Sequence, residues 1–314
     1  MKLDYLEKER AKVISIRDGL FKDPGGGVYR GKAREFVLKN PQKNLFHIIR
    51  DQAIQYFKGH EIVWWSSSKK NPGPTGHLLS SQISCVNHLF FLRNNEDVAL
   101  RFIQNINPNF TEICCDFDNG FIGFEVVSNG SYLNEGKKQT RGANCTSVDA
   151  MMSGILQNGK KIQILIEWKY TEKYNKNNKA YGSSGLTRQE RYNDLINADD
   201  SPIDCKVNIE NLYYEPFYQL MRQTLLADQM VKHKEYELNA DDWIHLDIIP
   251  EANEKLRYKI TSPDVSQDNI EDAWKAQLKD PEKYMVICPE KLLKPFIFDK
   301  KYRSLINYLN TRYW

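Results

Sequence analysis

The spacing of apolar positions changes character twice along the chain. Up to about position 105 they recur at helical intervals. Leu45, Ile48, Ile49 and Ala53 share one face of a helix predicted over 40–57, and 78–92 reads as a second apolar helix capped near Ser80 or Ser81. A third helix is predicted over 95–105. From there the pattern turns to branched and aromatic runs separated by turn residues. These predict strands over 111–118, 122–128, 145–156 and 161–171. Helical spacing returns over 186–198 and 212–234, a late strand follows over 243–249, and short helices with one strand over 284–287 finish the chain. Pro and Gly content marks 22–31 and 66–76 as loops. There is no repeat, no low-complexity linker and no internal boundary, so a single mixed α/β domain with helical N- and C-terminal additions is expected.

Composition changes this picture little. Apolar residues make up 41% and charged residues 27%, as in ordinary globular proteins. No apolar run approaches the roughly 18 residues that span a bilayer, so no membrane partner is expected. The opening MKLDYLEKERAK is charged and amphipathic and lacks the apolar stretch of a secretory signal, which predicts a cytoplasmic protein. The six cysteines form no CxxC pair and no Cys/His knuckle, so reduced, mostly buried thiols are expected rather than disulfides or zinc. A homo-oligomer is compatible with the sequence.

Charge distribution adds more. Between positions 136 and 192 eleven Lys or Arg stand against four acids, a local charge of +7 in a chain whose net charge is +3. Such a zone is what a polyanion-binding cleft needs, although a solvated basic surface has the same composition. Lys137, Lys138, Arg141, Lys173 and Lys176 are the candidate nucleic-acid contacts.

The chemistry gathers on one predicted hairpin, CTSVDAMMSGILQNGKKIQILIEWKY, over 145–170. Strand periodicity sends Ile162, Ile164, Ile166 and Trp168 to one face, and Gln163, Leu165, Glu167 and Lys169 to the other. A two-residue Asn-Gly loop would pair Asp149 with Trp168. A three-residue loop, Gln157-Asn158-Gly159, puts glycine at the left-handed position of a bulged turn. It pairs Ala150 with Ile166, Met152 with Ile164 and Gly154 with Ile162, an apolar set, so this register is favoured. Asp149 then faces Glu167, with Lys169 one diagonal away. Opposed carboxylates are costly unless a cation separates them. Hard oxygen ligands suit Mg²⁺ or Mn²⁺, which can polarise a phosphoryl oxygen and acidify a bound water. Lys169 could orient that water or stabilise the developing charge. The acid-x-Lys pattern occurs four times in the chain, but only Glu167-x-Lys169 lies in a strong strand with an Asp opposite. The competing reading is an edge-strand ion pair, which two facing acids make less natural.

The pattern Asp149…Glu167-x-Lys169 at the end of a hairpin resembles the signature of the PD-(D/E)XK, restriction-endonuclease-like nuclease superfamily. The stretches HLLSSQISCVNHLF, RGANCTSVDAMM, ILIEWKY and YEPFYQLMRQTLLA look like a bacterial restriction-endonuclease subgroup, in order over about 45–250. The resemblance implies a mixed β-sheet core flanked by helices, with Asp149 and Glu167 as metal ligands and Lys169 as the catalytic lysine. Val148 stands where the superfamily's name has Pro. The helix before the sheet often supplies an acid in this superfamily. The best-placed residue here is the neutral Gln82, which leaves two acidic ligands. The superfamily also often directs a polar helix at the site, and Gln219, Arg222 and Gln223 share a helix face at i, i+3 and i+4. Gln82, Gln219 and Arg222 are therefore the supporting residues. The catalytic core is placed at about 78–250, with an N-terminal helical extension over 1–77 and a C-terminal addition over 251–314.

Other features carry less. The segment GGVYRGK over 26–32 approximates a P-loop spacing, but Ala33 stands where Ser or Thr should bind Mg²⁺ and no apolar strand precedes it. Glu125 and Glu135, on or after a strand leading to the hairpin, could each be a further ligand but read better as surface acids; Trp64 and Trp65 read as packing residues, and His88 and His245 as ordinary helix and strand positions. The expected function is Mg²⁺-dependent endonucleolytic cleavage of nucleic acid, with double-stranded DNA as the expected partner and restriction or defence as the expected setting. The alternative is an inactive nucleic-acid-binding module of the same fold, against which the intact trio argues.

Overall fold

The computed structural model describes residues 3–66, 72–135, 145–182 and 187–314. The chain opens with helix α1 (Tyr5–Phe21), started by a capping box in which Asp4 and Glu7 satisfy each other's backbone N–H. A small hairpin follows, β1 (Gly27–Tyr29) and β2 (Lys32–Arg34), inside and beyond a stretch expected to be loop. Next come α2 (Arg50–Gly59), α3 (Ser81–Leu89) and α4 (Glu96–Ile106). Strands β3 (Phe110–Ile113), β4 (Gly123–Val126), β5 (Val148–Leu156) and β6 (Lys161–Trp168) lead to α5 (Thr187–Asn197) and α6 (Phe217–Lys232). The chain ends with β7 (Asp242–Ile248), α7 (Glu254–Tyr258), α8 (Ile270–Lys275), β8 (Tyr284–Ile287), α9 (Pro289–Leu292) and α10 (Arg303–Arg312).

Two predicted helices are shorter than their apolar spacing suggests. The run expected over 40–57 begins as a separate 3-10 turn, Pro41–Asn44, capped by the Asn40 side chain, before α2 starts at Arg50. The run expected over 212–234 splits at Pro216. Proline has no N–H to give to a preceding turn and pushes the residue before it out of helical geometry. Ile209–Tyr213 is consequently a 3-10 turn of its own, and α6 begins at Phe217. Ser80 does cap α3, its side chain accepting from the Ile83 N–H at 3.3 Å.

Six strands form one mixed sheet in the order β3-β5-β6-β7-β8, with β4 also pairing along β5. The β3, β4 and β6 pairings with β5 are antiparallel, whereas β6–β7 and β7–β8 are parallel. Helices flank the sheet, in agreement with a restriction-endonuclease-like fold. One core joins Ala150, Met152, Ile164, Ile166 and Trp168 to α1–α4 and α10. The other joins Met151, Leu165 and Trp243 to α5, α6 and α8. With both faces covered, a one-residue slip of β6 would turn Gln163, Glu167 and Lys169 into the wholly apolar first core, where their polar groups would have no partners.

The β5–β6 turn has the predicted form. Ala150 pairs with Ile166, Met152 with Ile164 and Gly154 with Ile162. Gly159 sits at φ +83, and its N–H reaches the Leu156 carbonyl at 2.8 Å. That conformation is open to glycine and strained for other residues. All six cysteines are free, but only Cys85 and Cys288 are buried and Cys115 is exposed, so burial is less general than expected. No helix of the described residues is long and apolar enough to cross a membrane.

Candidate active site

The open end of the β5–β6 hairpin brings Asp149, Glu167 and Lys169 together. The ladder runs in register to Ala150 and Ile166, so its next step sets Asp149 against Glu167. The half-buried Asp149 turns one carboxylate oxygen onto the Trp168 N–H, 2.7 Å away. Lys169 follows directly after β6, and its own N–H continues the parallel pairing by donating to the Ile248 carbonyl at 2.9 Å. Its ammonium donates to Glu167 Oε1 at 2.6 Å and to Gln219 Oε1 at 2.6 Å. Gln219 Nε2 returns a hydrogen bond to the same Glu167 oxygen at 2.6 Å. Gln223 Nε2 donates to the other Glu167 oxygen. Two side chains one turn apart on α6 thus clamp the carboxylate that the lysine contacts.

This packing is electrostatically loaded. Glu167 is 5% and Lys169 8% exposed. Burial raises the Asp149 carboxyl well above the usual range, and the nearby Glu167 and Glu125 raise it further against the opposing pull of Lys169 and the Trp168 N–H. Burial would lower the Lys169 ammonium, yet Glu167 and weaker anionic neighbours outweigh it and hold the group charged.

A second layer surrounds the trio. Gln82, at the start of α3, donates to Glu125 Oε1 at 2.8 Å and accepts from the Trp65 N–H at 2.8 Å. The β4 register between Phe124↔Ala150 and Val126↔Val148 places Glu125 beside Asp149. Glu125 has φ +49, the one left-handed residue within a strand among those described, a conformation that costs a side-chain-bearing residue roughly 1–3 kcal/mol. On the α6 side, a cavity of about 160 Å³ is lined by Cys145, Thr146, Ser147, Gln219, Arg222 and Gln223.

A family described as Restriction Endonuclease associating with ARP matches residues 6–314. The chain belongs to that family. The match spans nearly the whole chain and supports a nuclease role. No curated protein and no solved structure matches. Among the described residues no three His, Cys, Asp or Glu side chains are arranged to hold an ion. The carboxylates of Asp149 and Glu167 nonetheless suit a hard divalent cation, which would offset both the burial and the repulsion that raise Asp149. Mg²⁺ commonly takes one or two carboxylates and completes its shell with water and phosphate oxygens.

Several residues fall elsewhere than the sequence suggests. Lys137, Lys138 and Arg141 lie outside the described residues. Lys173 and Lys176 are exposed, and Lys173 pairs with Asp4 at the start of α1 at 2.6 Å. Glu135 is no surface acid. It is 8% exposed and accepts from the Thr146 N–H and hydroxyl, the Tyr192 hydroxyl at 2.7 Å and Arg222 Nε at 3.2 Å. Glu125 is half-buried and hydrogen-bonded to Gln82. Trp64 is buried, but Trp65 remains 44% exposed.

Asp247 escaped sequence reading altogether. The parallel ladder sets it beside Glu167, a pairing across 80 positions that no local pattern reveals. The alternation of WIHLDII could have shown only that His245 and Asp247 share a face. Asp247 is 1% exposed; Tyr284 donates to one oxygen at 3.1 Å and the other has no hydrogen-bond partner. Burial pushes its carboxyl up to about 7, Lys169 opposes this, and Glu167 adds to it. The folded protein therefore keeps a proton that the unfolded chain releases near pH 3.8. Stability should fall as pH rises from about 4 to about 7, by at most about 4 kcal/mol from this group. In urea unfolding of metal-free protein, Asp247→Asn should flatten that fall. Identical slopes in variant and wild type would contradict the assignment.

Proposed function

We propose that the chain is a metal-dependent endodeoxyribonuclease whose active site is Asp149, Glu167 and Lys169, with Mg²⁺ or Mn²⁺ as cofactor and duplex DNA as substrate. The observation that carries this reading is the Lys169 ammonium bound to Glu167 at 2.6 Å, on a hairpin whose register sets Asp149 opposite that same glutamate. In this reading Asp149 and Glu167 hold the ion, which would supply an acidified water and neutralise charge on the phosphoryl oxygens. Gln219 and Gln223 fix the orientation of Glu167, so its oxygens need little rearrangement. Lys169 would donate to the attacking water or to the phosphoryl oxygens on which charge develops. Gln82 orients Glu125 behind Asp149, and Arg222 lines the cavity beside the site. The core at about 78–250 and its two flanking additions work as one nuclease domain in this proposal.

Supercoiled plasmid incubated with purified protein and Mg²⁺ or Mn²⁺ tests it. Nicked and linear products that vanish with EDTA are expected. Tight duplex binding without cleavage under every divalent metal would favour the inactive binding module instead.

A further inference from the structure

The β1–β2 hairpin has no role in the chemistry described above, yet its construction is unusual. Gly27 pairs with Arg34, Val28 with Ala33 and Tyr29 with Lys32. The two turn residues, Arg30 and Gly31, both have positive φ, +50 and +73, the mirror-image turn that suits a tight hairpin. Asn or Gly normally occupies the first of these positions. An arginine there accepts backbone strain and puts a cation at the very tip. Every residue of β2 is exposed, and Val28 is 73% exposed.

The ribbon is basic and firmly rooted. Arg30, Lys32 and Arg34 lie within five positions that hold no acid, and none of the three has an ion-pair partner among the described residues. At the base, the buried Asp23 carboxylate accepts the N–H groups of Gly25 at 2.9 Å, Lys39 at 3.0 Å and Asn40 at 2.9 Å. Gly27 lies so close to the following segment that a Cβ would meet the Leu38 carbonyl oxygen at 2.3 Å. The hairpin is therefore held rigidly while its surface stays bare.

Its location ties it to the candidate active site. The Tyr29 ring lies 4.7 Å from His77 and 5.9 Å from the exposed Trp65. The Trp65 N–H is held by Gln82, and Gln82 holds Glu125 beside Asp149. Four contacts thus connect the ribbon to the proposed metal ligands.

We infer that this hairpin is a DNA-docking element, a basic β-ribbon that enters a groove of the duplex whose backbone the hairpin trio cleaves. The inference rests on the nuclease reading for its partner. A two-stranded ribbon matches the width of the major groove, and three unpaired cations on a rigid projection complement its phosphate walls. Preorganisation by Asp23 and Gly27 lowers the ordering cost of binding.

The test is fluorescence anisotropy with a labelled duplex across a salt series, in the absence of divalent metal so that binding is read without cleavage. The triple variant Arg30→Ala/Lys32→Ala/Arg34→Ala should bind about 10- to 100-fold more weakly at low salt. Its slope of log K against log salt should fall by about one for each lost phosphate contact. Its melting temperature should stay close to wild type, because all three residues are exposed and the one ring contact, Arg30 over Tyr29 at 5.3 Å, is at the surface. Arg30→Glu alone should weaken binding as well. Wild-type affinity in the triple variant would overturn the inference while leaving the nuclease reading intact, as would a loss confined to single-stranded DNA. If wild type binds the duplex through this ribbon but never cleaves it, the nuclease reading fails and the ribbon stands. If wild type binds no duplex, the ribbon falls with its partner.

Discussion

Replacing Lys169 by Met is expected to lower metal-dependent cleavage about 100- to 1,000-fold, the loss typical of removing one donor aimed at developing charge in a buried site. Among the described residues the ammonium is the one cation bonded to Glu167, and Lys169 is 8% exposed. Methionine preserves the length of the stem and removes only the donor. Gln219 and Gln223 remain to hold the Glu167 carboxylate. Divalent metal should therefore still raise the melting temperature of the variant, now as the sole cation beside two carboxylates. Retained metal stabilisation with lost cleavage separates a chemical role from simple unfolding. A variant that cleaves at wild-type rate would remove Lys169 from the mechanism.

The second large effect concerns stability. Glu135→Ala should destabilise the protein by about 2–3 kcal/mol in urea unfolding, less than for a fully buried pair because Arg222 keeps 24% of its side chain exposed and can regain water. Arg222 would lose its partner at 3.1 Å, and Tyr192 and Thr146 would lose their acceptor. The clamp also joins three parts of the chain: the segment entering β5, helix α5 through Tyr192, and helix α6 through Arg222. Cleavage should fall with it, because α6 carries the two glutamines that position Glu167. Glu135→Gln, which keeps an acceptor but loses the charge, should cost less. A change below about 1 kcal/mol for the alanine variant would show that the clamp is incidental.

The hairpin register was legible because its information is local. Period-two alternation, a Gln-Asn-Gly turn and the volume of three isoleucines all pointed to one pairing, and the structure adopts it. The same alternation assigned Glu167 and Lys169 to the face that α6 covers. What stayed hidden depends on contacts between distant segments. Asp247 reaches Glu167 through a parallel ladder, and parallel register is not set by any turn. Glu135 resembled a surface acid because its partners, Thr146, Tyr192 and Arg222, come from three separate stretches. Glu125 looked ordinary because nothing in the residue type announces φ +49. The neutral Gln82 left the site short of an acid on α3. The structure shows that Gln82 instead grips one, Glu125, on the neighbouring strand. Pro216 was visible in the sequence, but apolar spacing across it masked its effect on the start of α6.

In the proposed mechanism Asp149 and Glu167 share one divalent cation at a phosphodiester-cleaving centre. The most direct test compares Asp149→Asn with wild type on supercoiled plasmid at matched concentrations of Mn²⁺, alongside thermal melting of both proteins with and without the metal. Asparagine keeps the acceptor for the Trp168 N–H and removes the charge. The variant should melt at or above the wild-type temperature without metal, because it sheds the burial penalty that raises Asp149. It should lose most of the metal-induced stabilisation, and it should leave the plasmid uncut. Cleavage at the wild-type rate with undiminished metal stabilisation would remove Asp149 from the metal site.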